Sequence, residues 1–191
     1  NNVNYTETRT ITLDTTKPLI VFNANTDADF ANVSRLNVFI NVTASDAGGS
    51  LVQNITFRVY NSTTLVNEST VAREESNSYN ATLPRDGVYT FNVTTFDYAG
   101  NSNTTGTRTI TLDATKPSTV TFAAPSANDG SNLSVNAIPI NISATDNGVL
   151  NQVVIRLYNS SNDQVNISTS SFLSGTSNSY FVNFTGHADG V

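Results

Sequence analysis

The pattern in this chain best suited to covalent chemistry is Asn-X-Ser/Thr, the acceptor sequence for N-linked glycans. It occurs at Asn4, Asn32, Asn41, Asn54, Asn61, Asn67, Asn80, Asn92, Asn103, Asn132, Asn141, Asn159, Asn166 and Asn183. Random placement of the chain's 27 Asn and 49 Ser or Thr residues would give about half of these 14 sites. At Asn41, Asn92 and Asn141 the middle residue is Val or Ile, so in extended chain Asn and its hydroxyl partner share the opposite face. A glycan there projects from a sheet and leaves a core undisturbed. Asn and Thr also suit the wet face of any sandwich, so the placement carries more weight than the number.

A second set is acidic. Asp14 and Asp113 lie just before two Lys-Pro connectors, Asp46 and Asp146 follow alternating segments, and Asp97 sits in a turn string. Calcium takes about six to eight oxygen ligands, which turn carboxylates and carbonyls can supply. Calcium at these five residues is one reading, and the commoner loop role of Asp in capping turns is the favoured other, with no cofactor. No D-x-[DN]-x-[DN]-G loop is present.

Catalysis finds little to work with. The single histidine, His187, has no obvious partner, and the chain has no Cys, no G-x-S-x-G and no H-E-x-x-H. Glu74 and Glu75 are adjacent and would point apart in extended chain. The expectation is a chain that is not an enzyme. Tyr60 and Tyr158, each followed by Asn-Ser, fit ordinary cross-strand packing better than a binding stripe. A net charge of −6 argues against nucleic acid. Leu19-Ile20-Val21-Phe22, the longest clear apolar run, is far short of the roughly 20 residues that span a bilayer. With no initiator Met and no charged-then-apolar leader, the chain reads as a mature or excised segment.

Positioning these groups falls to short alternating segments. Val38, Ile40, Val42 and Ala44 alternate with polar neighbours, as do Ile55, Phe57 and Val59, and Tyr89, Phe91 and Val93. Asp46-Ala47-Gly48-Gly49, Asp86-Gly87 and Asp97 to Asn101 separate them as turns. No segment shows a 3.6-residue apolar period, so no helix is expected. The pattern then repeats. Thr8 to Pro18 reads T-R-T-I-T-L-D-T-T-K-P, and Thr107 to Pro117 reads T-R-T-I-T-L-D-A-T-K-P, 99 residues later. Ile138, Ile140, Ile142 and Ala144 match the Val38 set, and Arg156 to Ser160 matches Arg58 to Ser62. Near-identity at a spacing of about one sandwich domain marks a tandem array. The fold class expected is all-β: tandem Ig-like or fibronectin-III-like antiparallel β-sandwich domains, held without a disulfide or a buried Trp. The boundaries expected are 1–14 as the closing strand of a preceding repeat or a donated strand, 15–113 as the first domain, and 114–191 as a second lacking its last strands. Either the chain is a window of a longer array, or neighbouring copies complete one another by strand donation.

Phe91 to Asn101, followed by Leu112-Asp113-Ala114-Thr115-Lys116-Pro117, resembles the tandem Ig-like repeats of large bacterial and archaeal surface proteins. Such repeats close with a "D-x-A-G-N" turn and hand over through "D-x-T-x-P". Asp86-Gly87-Val88-Tyr89 likewise resembles the start of a tyrosine corner. The resemblance covers essentially the whole chain. It implies an extracellular or cell-surface stalk, adhesin, cell-wall layer or filament role, and the acceptor sites themselves make N-linked glycans the expected modification. Its partners would be neighbouring copies of the repeat, end to end. The other reading is an adhesin or carbohydrate-binding repeat of a secreted protein, but surface strings as well as core residues recur, which favours the structural one.

Overall fold

The computed structural model describes residues 2–73, 75–171 and 175–187. Glu74 and the Asp189-Gly190-Val191 string lie outside the described residues. The fold is all-β, with 14 strands and no helix among the described residues. The chain divides into two units, Asn1–Ala114 and Thr115–Val191.

Unit 1 contains β1 (Leu19–Phe22), β2 (Ala31–Val33), β3 (Asn37–Ser45), β4 (Val52–Asn61), β5 (Thr64–Ala72), β6 (Ser76–Thr82), β7 (Gly87–Asp97), β8 (Ser102–Thr104) and β9 (Arg108–Leu112). One sheet runs β1-β3-β6. The other runs β2-β9-β7-β4-β5, with β8 against β7. The alternation seen in the sequence builds the sandwich. Val38, Ile40 and Val42 on β3, Ile55, Phe57 and Val59 on β4, and Tyr89, Phe91 and Val93 on β7 all point inward and are fully buried. Each such side chain contributes about 1.5–3 kcal/mol of burial. Phe22 meets Phe91 edge-on at 5.8 Å between centroids. The Tyr89 hydroxyl donates to the Arg85 carbonyl at 3.0 Å, closing the tyrosine corner.

Two elements were not anticipated. Asn23 to Ser34 reads as a polar loop, yet it contains β2, which pairs with β9 in parallel, Asn32 opposite Thr111. The antiparallel expectation fails at this one edge, because the chain changes sheets between β1 and β2 and so runs alongside β9. β8 is the second, three polar residues with no alternation to signal them.

Unit 2 contains β10 (Thr119–Ala123), β11 (Ala137–Thr145), β12 (Gln152–Tyr158), β13 (Gln164–Ser171) and β14 (Ser177–Thr185), in sheets β10-β11-β14 and β12-β13. These are the counterparts of β1, β3, β4, β5 and β6, paired the same way. Relative to β3–β6, the β11–β14 ladder has slipped by two residues, placing Tyr180 opposite Ile142 where Tyr79 faces Ile40. A slip of two keeps every side chain on its face.

The two copies of T-R-T-I-T-L differ in structure. In β9, Ile110 and Leu112 are 0% and 1% exposed. In the first copy, residues 8–13 form no strand, and Ile11 and Leu13 are 86% and 89% exposed. β9 is held by β7 on one side and β2 on the other. The first copy has no ladder partner among the described residues.

Candidate functional site

Among the described residues, sequence-expected ligands converge at the base of the N-terminal arm. Asp14, Asp46 and Asp97 each present a carboxylate oxygen within 4.8 Å of the other two. Three local structures bring them there. Asp14 precedes the Thr-Thr-Lys-Pro connector, Asp46 opens the turn after β3, and Asp97 ends β7. Asp14 and Asp97 are buried and Asp46 half-buried.

Protein donors already surround the carboxylates. Asp14 accepts from the Thr16 amide at 2.8 Å, the Ser50 amide at 3.2 Å, and the Ser50 hydroxyl. Asp46 accepts from the Gly48 amide at 3.1 Å and the Leu51 amide at 2.9 Å. Asp97 accepts from the Asn101 backbone and side-chain nitrogens, both at 2.8 Å. Asn101 Nδ2 also donates to the Asp14 carbonyl at 3.1 Å, and Asn103 Nδ2 to the Pro18 carbonyl at 3.0 Å. The junction therefore fastens the connector to two turns of unit 1. Gly48 is required there, since a Cβ would overlap the Asp14 carboxylate. The Ser50 hydroxyl, with the Thr16 amide next, holds the Asp14 pKa below the usual carboxylate range, against burial that pushes it up.

The facing oxygens of these three residues are where a hard cation such as calcium would sit. Satisfied donors also make the cluster tolerable without one. The other two residues of the acidic set do not join it. Asp113 leaves β9 in unit 1, its amide bonded to the Val33 carbonyl at 2.9 Å. Asp146 lies in unit 2, its carboxylate accepting from the Asn147 amide at 2.9 Å in the turn role common for Asp. Ser50 and Asn101 escaped the sequence reading of the site. Asn101 closes the D-x-A-G-N string, which marked a turn, and Ser50 carries no local signal.

The Asn-X-Ser/Thr sites differ in accessibility. Asn4, Asn32, Asn80, Asn132 and Asn183 are exposed, in the arm, on β2, on β6, in the 131–136 loop and on β14. Asn41, Asn92 and Asn141 are half-buried on β3, β7 and β11, with Val42, Val93 and Ile142 buried beneath them. Their Nδ2 atoms donate to Asn25 Oδ1 at 2.8 Å, Thr107 Oγ1 at 3.3 Å and the Ala124 carbonyl at 2.7 Å. An amide carries two hydrogens and a glycan replaces one, so each bond can survive attachment. Asn67 is tied at both ends, donating to the Thr82 carbonyl and accepting from the Tyr79 hydroxyl, and Asn54 Oδ1 is buried. Asn61 ends β4, Asn103 lies in β8, Asn166 lies in β13, and Asn159 caps the turn after β12.

His187 meets the Phe184 ring edge-on and lies 3.3 Å from Asn166 Nδ2. Glu75 is exposed. No helix among the described residues is long and apolar enough to cross a membrane.

No protein-family model and no curated protein matches this chain. Among solved structures it is similar to an engineered protein at 21% identity, covering 50% of this chain and 20% of that one, with a TM-score of 0.38. It is similar to the fibronectin(III)-like modules of CbhA from Clostridium thermocellum at 16% identity, covering 88% and 80%, with a TM-score of 0.36. A CARDB domain from Pyrococcus furiosus, in complex with di-metal ions, aligns at 20% identity over 58% and 99%, with a TM-score of 0.31. The chain spans a fifth of the engineered protein.

Proposed function

We propose that this chain is a non-enzymatic structural module of an extracellular surface protein or filament, acting by spacing and cohesion and coated by N-linked glycans. The observation that carries this reading is the same clamp beneath the same acceptor site in both units. Thr26 Oγ1 and Ser126 Oγ each clamp the strand opposite, bonding both the amide and the carbonyl of Asn41 and Asn141 respectively. Those same asparagines are acceptor sites in both units. A recognition module would vary its exposed loops, whereas a spacer benefits from repeating them. The resemblance to tandem Ig-like repeats of bacterial and archaeal surface proteins supports the same reading. Asp14, Asp46 and Asp97 belong to it as the group that stiffens the N-terminal connector, with calcium as the cation they would take.

Glycopeptide mass spectrometry on protein from its native host tests the proposal. Glycan mass at several acceptor sites, Asn41, Asn92 and Asn141 among them, is expected. Bare asparagine at all three removes the glycan coat from the account.

A further inference from the structure

Phe30, just ahead of β2, combines two costly features. Its φ is 60°, in the left-handed region that favours glycine, and its side chain is 77% exposed. The backbone is held there by β9. The Phe30 amide donates to the Thr109 carbonyl at 2.7 Å, and the Thr109 amide donates to the Asp29 carboxylate at 2.7 Å. Such a conformation persists at a bulky residue only where its surroundings enforce it, and it is commonest at working sites. Glycine would take the place without strain. The residue 100 positions on is Gly130, with φ of 70°. Folding of unit 1 does not account for a ring that is strained and left in water.

Two residues further on stands an acceptor site, Asn32-Val33-Ser34. Ala31 and Val33 pack against the core of unit 1, so Asn32 and Ser34 face outward, and both are exposed. β2 is the outermost strand of its sheet, with Asn32 opposite Thr111 of β9. Two residues of chain place the Phe30 and Asn32 Cα atoms at most about 7 Å apart. A sugar attached to Asn32 Nδ2 therefore starts within reach of the Phe30 ring. A pyranose has hydroxyls around its rim and a face made of C–H groups, and the electron-rich face of an aromatic ring complements that surface. Left bare, an exposed ring beside an outer strand invites unwanted pairing.

We propose that Phe30 is the platform on which the first sugar of an N-linked glycan at Asn32 stacks. The class of ligand is a pyranose, hexose or N-acetylhexosamine, laid with its C–H face on the ring. Contact removes both apolar faces from water, which offsets the left-handed backbone at Phe30. The sugar, held in one orientation, then covers the outer side of β2 and shields that edge from other strands. The acceptor site at Asn132 has glycine in place of the ring, so the platform is particular to unit 1. This inference deepens, and rests on, the reading of the chain as a module coated by N-linked glycans.

The test uses the full chain from its native host in four forms: wild type, Phe30→Gly, Asn32→Gln and the two changes together. Phe30→Gly is expected to lower the urea midpoint of unit 1 when Asn32 carries its glycan. In the Asn32→Gln background it is expected to leave the midpoint unchanged or raise it, since only the backbone strain is relieved there. In proton NMR of the glycoprotein, ring protons of the first sugar at Asn32 are expected upfield and return to ordinary positions in Phe30→Gly. Equal midpoint shifts in the two backgrounds, or sugar resonances indifferent to Phe30, overturn the proposal. Glycopeptide masses separate the two levels of failure. Bare Asn32 with other acceptor sites occupied overturns the platform alone, whereas bare asparagine at every site overturns the glycan coat with it.

Discussion

Ile11 and Ile110 occupy the same position in the same string, and their surroundings make opposite predictions. Ile110 lies in the core of unit 1, so Ile110→Ala removes buried methyl and methylene groups and leaves a cavity. A loss of about 2–4 kcal/mol is expected in urea unfolding of unit 1. Ile11→Ala, on an exposed side chain, is expected to stay within about 0.5 kcal/mol in the same measurement. A second prediction concerns Asp14. Its pKa is lowered chiefly by the Ser50 hydroxyl, so its stabilisation is present above the unfolded carboxylate value and is lost as pH falls through the lowered native value. Ser50→Ala is expected to move the Asp14 carboxyl resonance midpoint upward in an NMR pH titration and to free the connector at a higher pH. An unmoved midpoint would assign the lowering to the backbone amides instead.

At the scale of elements, the tyrosine corner and the acidic junction each fasten a turn. Tyr89→Phe removes one bond to the Arg85 carbonyl and keeps the ring, so a loss of about 1 kcal/mol in unit 1 is expected from denaturant melts. If calcium is held by Asp14, Asp46 and Asp97, EDTA lowers the melting temperature of unit 1, and Asp97→Asn removes that sensitivity. Melting curves unchanged by EDTA leave Asn101 and Ser50 as the fastening. The long strands were legible in the sequence because buried and wet faces alternate along them, as at Val38 to Ala44 and Tyr89 to Val93. β2 and β8 were not. Their strand state comes from ladders, that of β2 with β9 far along the chain and that of β8 with β7 across a tight turn, and three-residue segments have no period to read. The convergence of Asp14, Asp46 and Asp97 was legible only as a set of acidic turn residues. Which three meet depends on how the connector packs against two turns, and that placed Asp113 and Asp146 elsewhere.

At the scale of the whole molecule, two sandwich units repeat strand order, clamp contacts and outward acceptor sites, while their cores differ. Among the described residues, sixteen buried hydrophobic side chains form the core cluster of unit 1 and three form that of unit 2. A module that spaces and coheres needs its faces covered by neighbouring repeats and its outer surface kept wet, and the distribution of Asn-X-Ser/Thr suits the second need. The most direct test of the central claim is cryo-electron microscopy of native material at a resolution that shows side chains. The account predicts a continuous filament or array of sandwich units, with glycan density leaving Asn41, Asn92 and Asn141. Isolated particles with bare asparagine at those positions would contradict it.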